Sequence, residues 1–82
     1  MISMLQEHTI SDESKVISLA DGTKIRLSQS SLLLYPSSFQ GSAERKVFLS
    51  GEAFFDIKHD DKQPFHVSTP YFEITDLGTS FA

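Results

Sequence analysis

The sequence contains no cysteine and no tryptophan among its 82 residues, and only three prolines and four glycines. Without cysteine the chain cannot form a disulfide framework or a zinc–thiolate site, although this does not fix the cellular compartment. It also lacks a run of about 18 apolar residues, the length that a membrane span needs. Its first apolar run is too short for a signal peptide. We therefore expect a soluble chain, with any membrane anchor encoded outside it.

Basic charge is also scarce. Seven Lys and Arg stand against eleven Asp and Glu, which gives a formal charge of −4. The only adjacent basic pair is Arg45 and Lys46. Because phosphate backbones are bound by clustered Lys and Arg, a nucleic-acid partner is not expected.

Helical periodicity is absent, and apolar residues recur at every second position in short runs separated by turn residues. This pattern predicts an all-β fold of short antiparallel strands and hairpins, with no substantial helix. An open β-sandwich, a β-barrel and a β-solenoid all remain possible, and a sandwich or a solenoid-like module is the prediction. We interpret residues 1–14 as a linker or frayed N-terminal arm, with a short edge strand as an addition, and residues 15–82 as one β domain.

The first hairpin signal is the Asp21-Gly22 pair. It lies between two alternating runs, with Ile17 and Leu19 before it and residues 24–27 after it. Glycine accepts the positive φ of a tight turn, so this arrangement predicts a hairpin. Asp21 is expected to cap the turn through its side-chain oxygen.

Gly51 interrupts a second alternating region and predicts a bulge or corner. We expect the following Glu52 to stabilise that corner by accepting backbone N–H groups. Gly78 is interpreted as a further turn residue.

One set of apolar side chains points away from the predicted core face. If these residues are covered, a second layer lies over them; if they are not, they form an interface for a partner or for self-association. The set comprises Leu32, Leu34, Phe48 and Phe54.

No catalytic, cofactor-binding or metal-binding residue is predicted, and the chain is not expected to be an enzyme. There is no nucleophile elbow, and the His59-Asp60-Asp61 run fits no recognised ligand spacing. His66 alternates away from the core face and is expected to be exposed or half-buried. Glu52 and Asp56 could act as an acid–base pair only in a cleft, and a surface position is favoured.

Five segments, in order, resemble the periplasmic domain of FecR-family anti-sigma regulators. Residues 17–27 are similar to V-x-L-x-D-G-S/T-x-V-x-L, and residues 31–36 to S-x-L-x-Y-P. The most distinctive is residues 45–57, which resemble R-x-V-x-L-x-G-E-A-F/Y-F-x-V. Residues 64–69 and 77–81 are similar to P-F-x-V-x-T and L-G-T-x-F. The resemblance covers residues 15–81.

This resemblance implies a periplasmic signal-transduction module of a single-pass inner-membrane protein, truncated relative to the parent family. The implied partner is the signalling domain of a TonB-dependent outer-membrane transporter. An extracytoplasmic-function sigma factor would bind only through a cytoplasmic segment that this sequence lacks. Homo-oligomerisation is left open, and no cofactor is implied.

Two rival functions remain. A glycan-binding β-module would need a row of exposed aromatic side chains, for which Tyr35, Tyr71 and Phe54 are the candidates. A structural scaffold would assemble into fibre-like structures at modest concentration.

Overall fold

A computed structural model describes residues 3–60, 62–71, 73–76 and 80–81. These residues form nine strands, and no helix long and apolar enough to cross a membrane occurs among them. The strands are β1 (Met4–His8), β2 (Lys15–Ser18), β3 (Lys24–Leu27), β4 (Leu32–Pro36), β5 (Arg45–Ser50), β6 (Ala53–Asp56), β7 (Phe65–Ser68), β8 (Glu73–Asp76) and β9 (Ser80–Phe81).

The strands make two sheets that enclose one core. The five-stranded sheet has the order β1-β4-β5-β7-β8, and the four-stranded sheet has the order β2-β3-β6-β9. Phe55 of the four-stranded sheet packs edge-on against Phe65 of the five-stranded sheet, with ring centroids 6.3 Å apart. The predicted all-β fold is confirmed, and of the three open architectures the structure has the sandwich. The core comprises Ile17, Leu19, Ile25, Leu27, Leu33, Tyr35, Phe39, Val47, Leu49, Ala53, Phe55, Ile57, Phe65 and Val67.

The hairpin predicted at Asp21-Gly22 is confirmed. β2 and β3 pair antiparallel with Ile17 opposite Ile25. Gly22 has a φ of 93° and donates its N–H to the carbonyl oxygen of Leu19 at 3.1 Å. The predicted cap is also present, because Asp21 Oδ1 accepts the Thr23 N–H at 3.0 Å.

Gly51 lies where the chain passes from the five-stranded sheet into the four-stranded sheet, between β5 and β6. Its φ is 115°, and a Cβ added there would lie 2.9 Å from Ser31 Cα and closer still to the Ser31 side chain. Ser31 Oγ accepts the Glu52 N–H at 3.0 Å, and the Glu52 carbonyl accepts the Ser28 N–H at 3.0 Å. The backbone of Glu52 therefore ties the corner to the segment before β4.

One strand pair departs from the antiparallel arrangement predicted from the sequence, because β5 and β7 run parallel, with Val47 opposite Val67. The reason is the corner at Gly51. β6 belongs to the other sheet. After β6 the chain re-enters the five-stranded sheet as β7, which runs in the same direction as β5.

The segment 1–14 contains an edge strand, since β1 pairs antiparallel with β4 along its whole length. The buried Thr9 follows it and fixes its end. Thr9 N–H donates to the Ser31 carbonyl at 2.9 Å, and Thr9 Oγ1 accepts the Ser31 N–H at 2.9 Å. Ser31 therefore joins the end of β1, the start of β4 and the corner at Gly51.

The opposite end of β5 begins with a buried arginine. The Arg45 side chain is 1% exposed, and its Nη1 lies 2.6 Å from Asp21 Oδ2. Nη1 also donates to the Lys58 carbonyl at 2.8 Å, and Nε donates to the Gln63 carbonyl at 2.7 Å. The guanidinium carbon lies 5.2 Å from the centroid of the Phe65 ring, within cation–π range. Arg45 thus joins the β2–β3 turn, β5 and the segment before β7.

Replacing Gly51 by alanine should destabilise the fold. The left-handed φ costs about 1–2 kcal/mol for a residue with a Cβ. Overlap with the Ser31 backbone adds roughly 1–3 kcal/mol, since a backbone atom cannot rotate away. We expect the free energy of unfolding to fall by roughly 2–5 kcal/mol, as measured by urea unfolding followed by circular dichroism.

Gly41→Ala is the matched control, because Gly41 also has a left-handed φ of 83° but nothing within 4 Å of the added Cβ. The Gly41→Ala variant should lose only the unfolding free energy that the left-handed φ costs, about 1–2 kcal/mol. Equal losses for the two variants would contradict the steric role of Ser31 at the corner.

Candidate interaction surface

The outer face of the five-stranded sheet carries three of the four apolar residues singled out from the sequence. Leu32 and Leu34 in β4 and Phe48 in β5 alternate with buried core residues and are themselves partly buried. Leu34 and Phe48 lie directly opposite each other in the β4–β5 register. We call Leu32, Leu34 and Phe48 the outer strip.

Polar residues border the outer strip on both sides. Gln6 of β1 stands opposite Leu34, and Ser68 of β7 stands opposite Phe48. An apolar centre within a polar border is the arrangement of a protein-binding patch, in which the buried centre supplies affinity and the border excludes water.

Phe54 is not part of this surface. It lies in β6 on the outer face of the four-stranded sheet, 44% exposed, opposite Arg26. Arg26 in turn stands opposite Val16, which is 65% exposed. The corner at Gly51 is the cause, because it carries the chain to the other sheet between Phe48 and Phe54. The four residues are thus divided between two opposite faces.

His66 forms a charged cluster beside the outer strip. Its side chain is 15% exposed, in keeping with the half-buried position expected. Nε2 lies 2.5 Å from Glu44 Oε2, and Nδ1 lies 2.9 Å from Thr75 Oγ1 and 3.5 Å from Glu73 Oε1. The imidazole therefore bridges β8 and the segment before β5. Its two nitrogens face different carboxylates, so the geometry suits contacts to two separate segments and not a shared metal ion.

The predicted turn residues serve the backbone. Gly22 and Gly51 have positive φ, and Asp21 caps its turn, but Asp21 also forms an ion pair with Arg45 that the sequence analysis missed. The alternation of residues along β5 could have indicated it, because Arg45 lies on the same buried face of the strand as Val47 and Leu49. Gly78 lies outside the described residues.

The acidic residues considered for chemistry are on the surface. Glu52 and Asp56 are exposed, at the corner and at the end of β6, and Asp56 stands opposite Lys24. No group of three metal-ligating side chains occurs in the described part of the chain.

Burial raises the pKa of the Tyr35 phenol above its ordinary value of 10.0, and the negative charge of Glu7 raises it further.

A cavity of about 430 Å³ opens between the two sheets. Its lining is mainly apolar and includes core residues of both sheets, such as Leu49, Phe55 and Val67. Among the described residues that line it, Glu52 carries the one charge. It has room for an apolar group and does not gather a set of reacting side chains.

The three aromatic residues considered for glycan binding do not form a row. Tyr35 is buried in the core at 9% exposure, whereas Tyr71 is 90% exposed in the connection after β7. Phe54 lies on the outer face of the other sheet. These three residues therefore do not form the flat aromatic platform that this rival function requires.

The sequence matches the family described as FecR protein over residues 6–82. No curated protein matches it. The family match over residues 6–82 includes all five segments whose motifs were noted above.

Two crystal structures, each of a candidate anti-sigma factor from Parabacteroides distasonis ATCC 8503, are similar to this chain. One, at 2.50 Å resolution, has a TM-score of 0.93 and 34% identity, and the match covers 96% of this chain and 37% of that one. The other, at 1.65 Å, has a TM-score of 0.90 and 35% identity, with coverages of 94% and 36%. This chain therefore spans little more than a third of the length of these neighbours.

The outer strip should contribute little to stability. Phe48 is partly buried on an outer face, whereas Phe55 is 1% exposed in the core. Because truncation of a core phenylalanine loses burial and leaves a cavity, Phe55→Ala should cost about 3–5 kcal/mol in urea unfolding. Phe48→Ala should cost about 1 kcal/mol. Comparable losses would mean that Phe48 is a core residue and not surface available to a partner.

Proposed function

This chain belongs to the FecR family, and from that premise we propose that it is the periplasmic signal-transduction module of an inner-membrane anti-sigma regulator. The family and the two structural neighbours support a regulatory role. The module would relay the state of a TonB-dependent outer-membrane transporter by contact between proteins. It would carry out no chemistry of its own.

The observation that carries this proposal is the outer strip. Leu34 and Phe48 are paired on a face whose reverse side is already filled by the core. A partner that covers them removes apolar surface from water without displacing any core contact, which favours association by about 25 cal/mol per Å² of apolar surface. We propose that the transporter's N-terminal signalling domain covers this face.

The remaining parts of the mechanism belong to a longer protein. We propose that a cytoplasmic segment of the parent regulator, connected to this module through a membrane helix, holds the sigma factor. Partner binding to the outer strip would shift the equilibrium between two states of the regulator, and this needs the partner to bind one state more tightly.

A binding experiment tests the proposal. The chain is passed over immobilised N-terminal signalling domains of TonB-dependent transporters from the source organism, and retention is measured as a dissociation constant. We expect one of these domains to bind the chain. Phe48→Ser should weaken that binding by about 30-fold, the effect of losing a central apolar anchor worth about 2 kcal/mol.

Phe54→Ser is the matched control, because Phe54 is also a phenylalanine on an outer face but lies on the opposite side of the sandwich. Its binding should be unchanged. Absence of binding to every signalling domain, or equal losses in the two variants, would contradict the proposed surface.

A further inference from the structure

β1 presents unpaired main-chain groups at the edge of the five-stranded sheet. On its inner side it pairs with β4, and the bonds at both ends of this pairing are made by odd-numbered residues. The Ser37 N–H donates to the Ser3 carbonyl at 2.7 Å, and the Thr9 N–H donates to the Ser31 carbonyl at 2.9 Å. Since bonded positions alternate along an antiparallel ladder, Met4, Gln6 and His8 direct their N–H and C=O groups away from β4.

The identity of Pro36 agrees with this assignment. Pro36 has no N–H to donate, and it stands opposite Met4, a position that makes no bond across the β1–β4 ladder. β1 lies last in the strand order, so no described strand pairs with its outer edge.

This edge lacks the features that keep sheet edges from pairing. Exposed edges are normally interrupted by lysine, proline or a bulge. β1 has the sequence MLQEH and pairs with β4 in an unbroken register, without a bulge. Its one formal charge, on Glu7, is paired with Lys15 Nζ at 3.5 Å. Met4 is 64% exposed and Leu5 is 41% exposed.

We propose that β1 pairs antiparallel with β1 of a second copy of this chain, about a two-fold axis through Gln6. In this register Gln6 faces Gln6 of the second copy, Met4 faces His8, and Leu5 faces Glu7. The outward-facing N–H and C=O groups of Met4, Gln6 and His8 in both copies then pair, which gives about six main-chain hydrogen bonds. No like charges stand opposite each other, whereas a two-fold axis at Glu7 would place two carboxylates in contact.

The second copy is favoured as the occupant because the strand is complementary to itself. The interface is isologous, so one unprotected edge satisfies another of the same sequence. Pairing would join two five-stranded sheets into one. Both outer strips would then lie on the same continuous face. The two β4 strands would be separated by three strand spacings, about 14 Å. This inference stands independently of the proposed function.

Sedimentation velocity over roughly 10 μM to 1 mM protein tests the dimer, a range chosen because an interface of one strand pair is small. The unmodified chain should dimerise within it. Gln6→Pro should be monomeric with an unchanged melting temperature, because the N–H that it removes makes no bond within the monomer and proline is tolerated on the solvent side of an edge strand.

Val16→Pro is the matched control on the other sheet. Val16 lies in the edge strand β2, and its N–H also faces away from the sheet, since Leu19 donates to the Thr23 carbonyl at 2.8 Å and bonded positions alternate. This variant should dimerise like the unmodified chain. A chain that is monomeric throughout the range, or a Gln6→Pro variant that is folded and dimeric, would overturn the proposal.

Cysteine cross-linking tests the register and does not depend on the proline variants folding. The chain has no cysteine, so each introduced thiol is unique. Residues in a hydrogen-bonded antiparallel pair have Cα atoms about 5.5 Å apart, within disulfide range. Gln6→Cys should therefore oxidise to a covalent dimer. Met4→Cys should not cross-link to itself but should cross-link to His8→Cys.

Two results of this experiment would overturn the proposal. The first is that Gln6→Cys stays uncross-linked under oxidation. The second concerns a reaction to which a transporter's N-terminal signalling domain with an introduced cysteine is added. If Gln6→Cys cross-links only to that domain, the edge pairs with a strand of a different protein.

Discussion

The Arg45 guanidinium lies at one end of the space between the two sheets, where removing a charge from water costs several kcal/mol unless partners replace the lost hydration. Its partners come from segments distant in sequence: the carboxylate of Asp21 and the backbone carbonyls of Lys58 and Gln63. Thr23 extends the network, because its hydroxyl donates to Asp21 and accepts the Lys58 N–H. The loops at this end are therefore held in place by a hydrogen-bond network centred on the Arg45 side chain.

The corner at Gly51 is the second constraint, and it determines which surfaces are available for function. β5 and β6 are nearly continuous in sequence, but the corner places their outward-facing residues on opposite sides of the sandwich. The outer strip and Phe54 are consequently separate surfaces. The edge at β1 is a third surface, distinct from both of these faces.

Much of the fold could be predicted because its signals are local. The alternation of apolar residues located most strands, and Asp21-Gly22 located the first hairpin. The pairing of β5 with β7 could not be predicted, because strand order depends on contacts between segments distant in sequence. Arg45 was noted only as part of an adjacent basic pair with Lys46, although its alternation with Val47 placed it on the inward face of β5. The buried position of an arginine depends on partners such as Asp21, whose proximity appears only when the chain is folded.

A double-mutant cycle on Arg45 and Asp21 tests the central claim most directly. Arg45→Met keeps the apolar stem without the charge, and Asp21→Asn keeps the oxygen that caps the turn. Unfolding free energies of the four proteins would be measured by urea titration, in sucrose if the single variants are marginal. We expect each single variant to lose about 3–5 kcal/mol, and the double variant to lose at least about 1.5 kcal/mol less than their sum. Losses that add to within about 0.5 kcal/mol would contradict the claim that this ion pair holds the two sheets and their loops together.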